Sequence, residues 1–473
     1  MKIAIVSLIK NESRQPPIGL LRIAGYLKNK DKSLDIRFFD NAFEDIYKKI
    51  DSFKPDIIGI TTFTSYYQDS IDFSKKMKKK YPSIKIIVGG PHITTLPESF
   101  DKNFDFAVLG RGEERLLQLI HYIKNSVKLK ENKSLKNLDK IDGIVYWEKG
   151  KLNINKRLES KEAGLDESIT DYSLFPEEYW KKRFIFEVCD FKVYMGIISS
   201  IGCPYNCLFC SCKACWGDIK YREVSKVIEE IKELYSKYKV RHIEFYDDLF
   251  AINKKRLVEF FKQLKEAQLL GKITFSCFAR ADGFDEELCV LLKKINVKSI
   301  TFGFESSSDK VLKYIKNSEH ASVEKNKRAI LICRKHKINV SGGLITGNPN
   351  ENAEDMDKNI EFINFARKHQ ALRIWIQILV PFPGTYIWEL GKKEGKINPD
   401  YSHIDWNAMQ IHNRDNPLFL NKELLYKVFL KKYEIAKKKC RFFVYNVFFK
   451  TILNNPVNIF YFSREALFYL KRL

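Results

Sequence analysis

The chain has 473 residues, which is enough for two or three domains with sizeable cores. Hydrophobic residues make up 45% of it, and this excludes a largely disordered protein. Ten cysteines are too few for a disulfide scaffold at this length, and the crowding of five from Cys203 to Cys215 indicates metal binding in a reducing compartment. Much of the formal net charge of +23 lies in lysine-rich helical stretches that are typical of a solvated surface.

The first residues, Met1 to Ile9, turn polar too soon for a secretory signal. No stretch of about 18 uncharged apolar residues is present, so no helix is expected to span a bilayer. We therefore expect a cytoplasmic protein that at most touches the inner face of a membrane.

Residues 1–126 alternate short apolar segments with amphipathic helical ones, which predicts an α/β domain with a doubly wound, Rossmann-like parallel sheet. The predicted strands are Ile3–Ile9, Leu34–Phe39, Ile57–Thr62, Ile84–Val88 and Phe104–Leu109. The predicted helices are Leu20–Lys28, Phe43–Asp51, Tyr67–Lys80 and Glu113–Lys124.

Ligands of such sheets bind outside the carboxyl ends of the strands. The loops at those ends contain glycines, which let the backbone approach a ligand closely, and small hydroxyl residues, which donate hydrogen bonds without bulk. No G-x-G-x-x-G follows the first strand, so the main sequence evidence for a dinucleotide cofactor is absent. A flavodoxin-like domain that has lost its ligand stays open as an alternative. The candidate cofactor-binding residues in these loops are Pro17, Gly19, Thr62, Ser65, Gly89, Gly90 and Glu113.

Residues 127–194 are predicted to form a linker with a small hairpin. Lys128–Lys140 is rich in lysine and asparagine. The apolar segments Gly143–Trp147 and Lys151–Ile154 flank a Glu-Lys-Gly turn, which indicates two paired strands.

Three cysteines follow in the sequence GCPYNCLFC at residues 202–210. Their spacing is C-x3-C-x2-C, with thiols at Cys203, Cys207 and Cys210. A structural zinc site takes four protein ligands, whereas a [4Fe–4S] cluster held by three thiolates leaves one iron open to a substrate or cofactor. Cys212 and Cys215 come directly after the motif, so a four-cysteine zinc site and cysteines that bind nothing both remain alternatives.

Residues 195–385 again alternate strands with helices, which predicts a partial (β/α)6 barrel with its chemistry at the carboxyl ends of the strands. The predicted strands are Met195–Ile201, His242–Tyr246, Ile273–Phe278, Ser299–Phe302, Asn339–Ile345 and Ile374–Val380. The candidate cofactor-binding residues at those ends are Asp247, Arg280, Glu305 and Gly347. Each has a plain alternative, because an aspartate after a strand often caps the next helix and Glu305 would also serve as the partner of a lysine.

Residues 386–473 are predicted to form a basic, aromatic and mainly helical region. From residue 421 onward there are 12 Lys or Arg and 3 Glu, interleaved with many aromatic residues. This pattern fits a helix in an anionic membrane interface, and it also fits a helix that covers the end of a barrel with its lysines pointing outward. Nucleic acid is the third interpretation, but no recognisable nucleic-acid module is present, and we expect no such partner.

In this order the motifs resemble the cobalamin-dependent branch of the radical S-adenosylmethionine (SAM) superfamily. PPIGLLRIAGYL, GGPH and GRGEE resemble its cobalamin-binding domain, and CPYNCLFC is similar to its cluster motif. YDDLF, GFES, GLITGNPNE and VPFPGT resemble successive strand ends of its barrel. The resemblance covers residues 1–126 and 195–385.

The resemblance implies three cofactors. Cys203, Cys207 and Cys210 would hold a [4Fe–4S] cluster whose open iron binds SAM, and Phe209 would lie near the adenine. Cobalamin would bind the first domain. A D-x-H-x-x-G loop is absent, since KNESR follows the first strand, so no histidine of that loop would ligate the cobalt. His92 of GGPH is expected to pack in the loop or line the corrin edge.

The resemblance also implies an activity, namely reductive cleavage of SAM and functionalisation of an unactivated carbon. Methyl transfer is the first expectation, and radical cyclisation or rearrangement is the alternative. The substrate would be a small molecule or a lipid, and the electron would come from an external donor of the flavodoxin or ferredoxin type. No catalytic acid or base is assigned. The rival classes are a zinc or iron–sulfur oxidoreductase without SAM, an RNA methylthiotransferase, and a non-catalytic cobalamin or SAM sensor.

Overall fold

The structure is a computed structural model that describes residues 1–9, 16–128, 137–185, 190–401, 404–413, 418–422 and 424–454. The chain forms two compact units, each assembled from separate segments. The first comprises Met1–Tyr179, Cys210–Lys220 and Pro381–Gln410. The second comprises Trp180–Phe209, Tyr221–Val380 and Ile411–Leu473. The KNESR turn after the first strand lies outside the described residues.

The first unit is built on a seven-stranded sheet of order β2-β1-β3-β4-β5-β6-β7, in which the first five strands run parallel. The strands are β1 (Lys2–Ser7), β2 (Asp35–Asp40), β3 (Ile57–Thr61), β4 (Lys85–Gly89), β5 (Phe106–Val108), β6 (Ile144–Glu148) and β7 (Lys151–Ile154). The helices between them are α1 (Ile18–Lys30), α2 (Ile46–Phe53), α3 (Tyr67–Lys80), α4 (Pro91–Thr95) and α5 (Glu113–Lys128). The predicted doubly wound fold is confirmed, with its switch point between β1 and β3.

The strands of this sheet are buried on both faces. Five of the six residues of β1 are buried, as expected for a parallel strand with helices on either side. Helix α2 begins at Asp45, whose carboxylate accepts hydrogen bonds from the backbone N–H groups of Tyr47 and Lys48. Strands β3 and β4 are parallel neighbours in the sheet. The loops that follow them therefore lie at the same edge of the sheet.

The predicted hairpin exists, but it belongs to the first sheet. Strand β6 pairs antiparallel with β5, and β7 pairs antiparallel with β6, so the hairpin extends the sheet by two strands. Buried Arg115 ties this extension to α5. Its Nε and Nη2 donate to Oδ2 of Asp142 at 3.0 and 2.7 Å, and its Nη1 donates to Oε1 of Glu162 at 3.2 Å.

The second unit is built on a six-stranded parallel sheet of order β10-β13-β14-β15-β16-β17, with every strand where the sequence predicts one. These strands are β10 (Tyr194–Ile197), β13 (His242–Phe245), β14 (Thr274–Ala279), β15 (Val297–Glu305), β16 (Asn339–Thr346) and β17 (Arg373–Ile378). The short strands are β8 (Arg183–Ile185), β9 (Asp190–Lys192), β11 (Ser200–Ile201) and β12 (Lys220–Tyr221). The remaining helices are α6 (Cys212–Trp216), α7 (Val224–Ser236), α8 (Lys254–Glu266), α9 (Glu286–Ile295), α10 (Asp309–Lys316), α11 (Val323–Lys335), α12 (Ala353–Lys368), α13 (Tyr386–Lys393) and α14 (Tyr426–Asn454).

The two faces of this sheet differ in chemistry. One face packs aromatic rings against helices, with centroid distances of 5.7 Å for Phe245 and Phe260 and 5.1 Å for Phe304 and Phe362. Several of the residues that alternate with these are polar. Buried His242, for example, lies 2.9 Å from the hydroxyl of Thr274 through Nδ1. The helix-free face is therefore the polar one, and it leads to the strand ends that carry the predicted site.

The C-terminal region is divided between the units: residues up to Gln410 belong to the first, and those from Ile411 onward belong to the second. Helix α14 contacts α12 and β17. Asn421 donates from Nδ2 to the backbone carbonyls of Asn348 and Glu351. Side chains from residue 441 onward, and the whole of 455–473, lie outside the described residues. Among the described helices none is long and apolar enough to cross a membrane.

We expect Arg115→Met to destabilise the protein by about 3–5 kcal/mol, because it leaves the carboxylate of Asp142 buried without its cation, whereas Glu162 keeps Arg157 as a partner. The measurement is the free energy of unfolding from urea titration. Lys79→Met, on the exposed face of α3, is the control and should change it by less than about 0.5 kcal/mol. Equal effects of the two substitutions would contradict a structural role for the buried ion pairs.

Candidate functional site

The cysteine loop follows β10 and β11 and is largely exposed. Cys203 and Cys207 are half-buried, Cys210 is exposed, and Gly202 turns the chain into the loop with φ of +82°. Within the described residues no three His, Cys, Asp or Glu side chains are gathered as closely as metal ligands would be. The three thiols come from one short segment of the chain.

Two aspartates at the end of β13 hold the start of this loop. Buried Asp247 accepts the backbone N–H of Ser199 at 2.6 Å and the hydroxyls of Ser199 and Ser200 at 2.5 and 2.6 Å. Asp248 accepts the backbone N–H of Gly202 at 2.9 Å. Burial raises the pKa of Asp247, and the three donors oppose that rise. Asp247 thus faces the serines before the cysteine loop, and its assignment as a cofactor contact stays a prediction.

The helix-capping alternative for these aspartates is not what the structure shows. Helix α8 is capped by Asn253, whose side chain accepts the backbone N–H of Arg256 at 3.1 Å. Both aspartates after β13 are therefore used to support the cysteine loop.

Arg280, at the end of β14, is the side chain that contacts a candidate ligand directly. Its Nη1 donates to Sγ of Cys207 at 3.2 Å, and its Nε donates to Oδ1 of Asp282 at 2.6 Å. The guanidinium lies 4.0 Å from the ring centroid of Tyr205. Its Nη2 is buried and has no hydrogen-bond partner within the described residues. Burial raises the pKa of the Cys207 thiol, and the Arg280 charge opposes this rise.

Glu305 lies at the end of β15 in a left-handed conformation with φ of +63°. Its carboxylate lies over Gly303, where a Cβ atom would be 2.1 Å from Oε1. Buried Lys316 donates from Nζ to the carbonyl of Gly303 at 2.7 Å. Burial raises the pKa of Glu305, and the charges of Lys316 and Arg280 oppose this rise.

Lys316 is a residue that the sequence analysis missed. It ends α10 and is only 3% exposed, which is rare for a lysine. The sequence carried one signal of it, since the apolar pattern of Val311, Leu312 and Ile315 places residue 316 at the edge of the buried face.

Gly347 lies in a tight turn after β16 and has φ of +85°. Buried Glu351 holds this turn by accepting the hydroxyl of Thr346 at 2.9 Å and the backbone N–H of Gly347. Burial raises the pKa of Glu351 to about 7. A Cβ on Gly347 would lie 3.1 Å from the Phe419 ring, so C-terminal residues cover this glycine.

The remaining residues of the cysteine segment are packed to different degrees. Phe209 is half-buried, and the backbone N–H of its neighbour Leu208 donates to the carbonyl of Ile315 at 2.9 Å. Cys212 and Cys215 are buried in α6. Arg157 donates from Nη1 to the Cys215 carbonyl at 2.8 Å. The packing alternative fits these two cysteines better than a ligand role, since they lie inside a helix away from solvent.

In the first unit, the loops after β3 and β4 cross closely. The backbone N–H and the hydroxyl of buried Thr62 donate to the carbonyl of Gly89 at 2.6 and 2.8 Å. Gly90 has φ of +99°, and a Cβ there would lie 2.5 Å from the Thr61 hydroxyl. Only glycine fits this crossing, which brings two predicted loops to one edge of the sheet.

The other predicted cofactor-binding residues of this unit differ in whether a ligand could reach them. Pro17 precedes α1, and Gly19 is exposed with no atom within 4 Å of where its Cβ would be. Ser65 is half-buried in the turn before α3. Glu113 is buried, and its Oε1 accepts from Arg111 at 3.2 Å and from the hydroxyl of Ser168 at 2.7 Å. The first three positions are accessible to a ligand, whereas Glu113 is engaged within the protein.

His92 is enclosed and fully bonded. Its Nδ1 lies 3.1 Å from the hydroxyl of Thr64, and its Nε2 lies 3.1 Å from that of Ser99. Its ring packs against Tyr67 and Trp406 at centroid distances of 3.9 and 4.8 Å. Burial lowers the pKa of His92 to about 3. The packing role expected for it is what the structure shows, and neither nitrogen is available to a metal.

The residues present fit the cofactors that the sequence implies. Thiols are soft ligands suited to iron–sulfur chemistry, and the buried Nη2 of Arg280 offers an unused donor beside Cys207. The open position at Gly19, near the strand ends where ligands of this fold bind, leaves backbone accessible to a ligand.

Family models match both parts of the chain. The radical SAM superfamily model matches residues 197–363, and the B12 binding domain model matches residues 5–120. An uncharacterized methyltransferase of Pyrococcus horikoshii is 30% identical over 382 residues, which are 79% of this chain and 78% of that protein. The chain belongs to the radical SAM superfamily. It is an enzyme of the branch that carries a B12-binding domain, as the motifs predicted.

Other relatives agree with this assignment. The anaerobic magnesium-protoporphyrin IX monomethyl ester cyclase of Rubrivivax gelatinosus is 26% identical over 353 residues, covering 72% of this chain and 61% of that protein. The solved structure of the radical S-adenosylmethionine methyltransferase TsrM from Kitasatospora setae, with cobalamin and a [4Fe–4S] cluster bound, matches with a TM-score of 0.66 at 15% identity. That match covers 89% of this chain and 84% of TsrM, and it supports the fold.

The buried, neutral state of His92 predicts a pH-dependent stability. Its pKa in the folded protein is about 3, against about 6.5 when unfolded, so only the unfolded chain takes up the proton between these values. Stability is therefore lost as pH falls below about 6.5, at up to about 1.4 kcal/mol per pH unit for this residue.

We expect His92→Gln to flatten the fall in the free energy of unfolding between neutral and mildly acidic pH, measured by urea titration. His320→Gln, at an exposed position, is the matched control and should keep the slope of the parent protein. A slope unchanged in His92→Gln would show that His92 is protonated in the folded state.

Proposed function

We propose that this radical SAM enzyme cleaves SAM reductively at a [4Fe–4S] cluster and transfers a methyl group, with cobalamin as carrier, to an unactivated carbon of a hydrophobic substrate. The contact between Arg280 and the Cys207 thiol carries the proposal, because it puts a cation with an unused N–H beside a predicted cluster ligand. A separate B12-binding unit in the same chain supports the choice of methyl transfer.

The predicted cluster ligands and three side chains at the ends of the barrel strands and helices have separate roles in this proposal. Cys203, Cys207 and Cys210 would hold the cluster, which supplies the electron that splits SAM when bound. Arg280 orients the Cys207 thiolate through Nη1 and offers Nη2 to an anionic group. Glu305 accepts hydrogen bonds from a cationic or hydroxyl group over Gly303, and Lys316 fixes that turn.

The first unit would bind cobalamin at the loops after β3 and β4. Thr62, Gly89 and Gly90 shape the crossing, and Pro17, Gly19 and Ser65 lie at accessible positions near strand ends of the same sheet. His92 would support this surface from beneath, because both of its nitrogens are already bonded. A cobalt without a histidine ligand from the GGPH loop is the consequence.

The substrate class and location are part of the proposal. The relative from Rubrivivax gelatinosus acts, by its name, on magnesium-protoporphyrin IX monomethyl ester, and this supports a hydrophobic small-molecule or lipid substrate here. We further propose that the enzyme works in the cytoplasm, receives its electron from a flavodoxin or ferredoxin, and meets the inner face of a membrane through residues 421–473. The same relative favours radical ring formation as the second candidate reaction.

The first experiment uses full-length protein purified without oxygen, reconstituted with iron, sulfide and cobalamin, and reduced in the presence of SAM. Mass spectrometry should find 5′-deoxyadenosine together with S-adenosylhomocysteine, because reductive cleavage of one SAM would give the first product and methyl transfer from a second SAM to the added, reduced cobalamin would give the second. Formation of deoxyadenosine without S-adenosylhomocysteine would contradict methyl transfer and favour cyclisation or rearrangement. Neither product, with cluster and cobalamin bound, would favour the sensor.

The cysteine variants test the cluster assignment. Replacing Cys203, Cys207 or Cys210 by alanine should abolish SAM cleavage and lower the bound iron, because the cluster loses a ligand. Cys212→Ala and Cys215→Ala are matched controls on the next helix and should keep most of both signals. Loss of iron in either control, or bound zinc without iron in the parent protein, would contradict the assignment.

A further inference from the structure

Helix α14 has a second face that the packing of the second unit leaves uncovered. Its inward stripe is formed by Phe429, Tyr433, Ala436 and Cys440, all buried and spaced as one side of a helix. The contacts of that stripe are with α12 and β17. The opposite side of α14 faces solvent, and its composition is unusual for a solvated helix.

The outer face of α14 consists of Lys427, Val428, Lys431, Ile435 and Lys438, all exposed. Val428 and Ile435 are 37% and 41% exposed, and Leu425, directly before the helix, is 77% exposed. The three lysines make no hydrogen bond or ion pair with other described residues. Apolar and cationic side chains thus alternate along one exposed surface.

This concentration of apolar side chains is a local property. Of the 14 exposed large hydrophobic side chains in the described part of the chain, four lie within residues 425–435, and two of these, Val428 and Ile435, are on the outer face of α14. Single exposed apolar residues need no explanation, but a cluster does. The lysine-rich helix α3 shows the contrast, since its exposed residues Lys75, Lys76 and Lys79 have no exposed apolar neighbour on that helix.

We propose that the outer face of α14 binds an anionic lipid surface, with its apolar side chains in the headgroup region and its lysines against the phosphates. A helix of this kind lies in the plane of the interface, and its binding depends on both buried apolar area and negative lipid charge. The inference rests on the proposed membrane contact and assigns it a surface and a lipid chemistry. Charge complementarity identifies the partner, because the apolar residues are flanked by three lysines that pair with no other described residue.

The test is sedimentation of the full-length protein with vesicles, which requires neither cofactors nor substrate. The parent protein should bind vesicles of equal parts phosphatidylglycerol and phosphatidylcholine and should not bind phosphatidylcholine alone. The triple variant Lys427→Glu, Lys431→Glu, Lys438→Glu should bind about 100-fold more weakly or worse, given the effect of each basic residue near an anionic surface. High salt should weaken binding by the parent protein as well.

Matched controls separate this face from the overall charge. Lys75→Glu, Lys76→Glu, Lys79→Glu makes the same charge change on α3 and should retain binding. Ile435→Ser should weaken binding although it leaves the charge intact, whereas Val258→Ser, at a 55% exposed site on α8, should not. Circular dichroism checks that each variant is folded. If the triple lysine variant is not folded, the binding of Ile435→Ser decides whether this face contacts the vesicle.

Several outcomes would overturn the proposal. The first is no binding of the parent protein to anionic vesicles, or equal binding to vesicles of phosphatidylcholine alone. The second is an equal loss of binding in the α3 and α14 triple variants. The third is binding to bulk transfer RNA that displaces the protein from the vesicles. Because SAM cleavage is measured without vesicles, failure here leaves the proposed enzyme activity standing. Failure of SAM cleavage likewise leaves the vesicle result intact.

Discussion

The hydrogen bonds to the buried carboxylate of Asp247 hold the start of the cysteine loop in place. Such a buried carboxylate is tolerated only when donors surround it. The three hydrogen bonds from Ser199 and Ser200 meet that need, and they join the end of β13 to the residues that lead into the loop. Asp248 adds a fourth bond at Gly202, where the backbone turns. These bonds fix the start of the loop that carries the three thiols, and a site with precise ligand geometry requires such support.

The fold was predictable because its signals are local. Each strand of the two parallel sheets is a short apolar run bounded by turn residues, and that pattern needs no knowledge of distant contacts. The role of Asp247 was not predictable in the same way. Its serine partners lie 48 and 47 positions earlier in the chain, and nothing near residue 247 identifies them. Lys316 was missed for the same reason, since its partner Gly303 lies on another element.

The C-terminal region shows how two interpretations of one pattern can apply to different faces. Basic and aromatic residues on a helix suggested either packing or an interface. In the described part of α14, Tyr433 and Cys440 are buried, so packing is confirmed for that side. Phe419 also closes over Gly347 at the end of β16. The sequence shows how many basic and aromatic residues such a helix contains. Only the tertiary contacts determine which of them face the core.

The discontinuous first unit has a consequence for biosynthesis. Trp406, which covers His92 and Tyr67, is supplied more than three hundred residues after them. A ribosome adding about 5–20 residues per second reaches that tryptophan roughly 20–80 s after starting the chain. Until then Tyr67 and His92 lack the ring that packs against them in the folded protein. Early termination before Trp406 would yield a sheet with its strands complete and its aromatic cover missing.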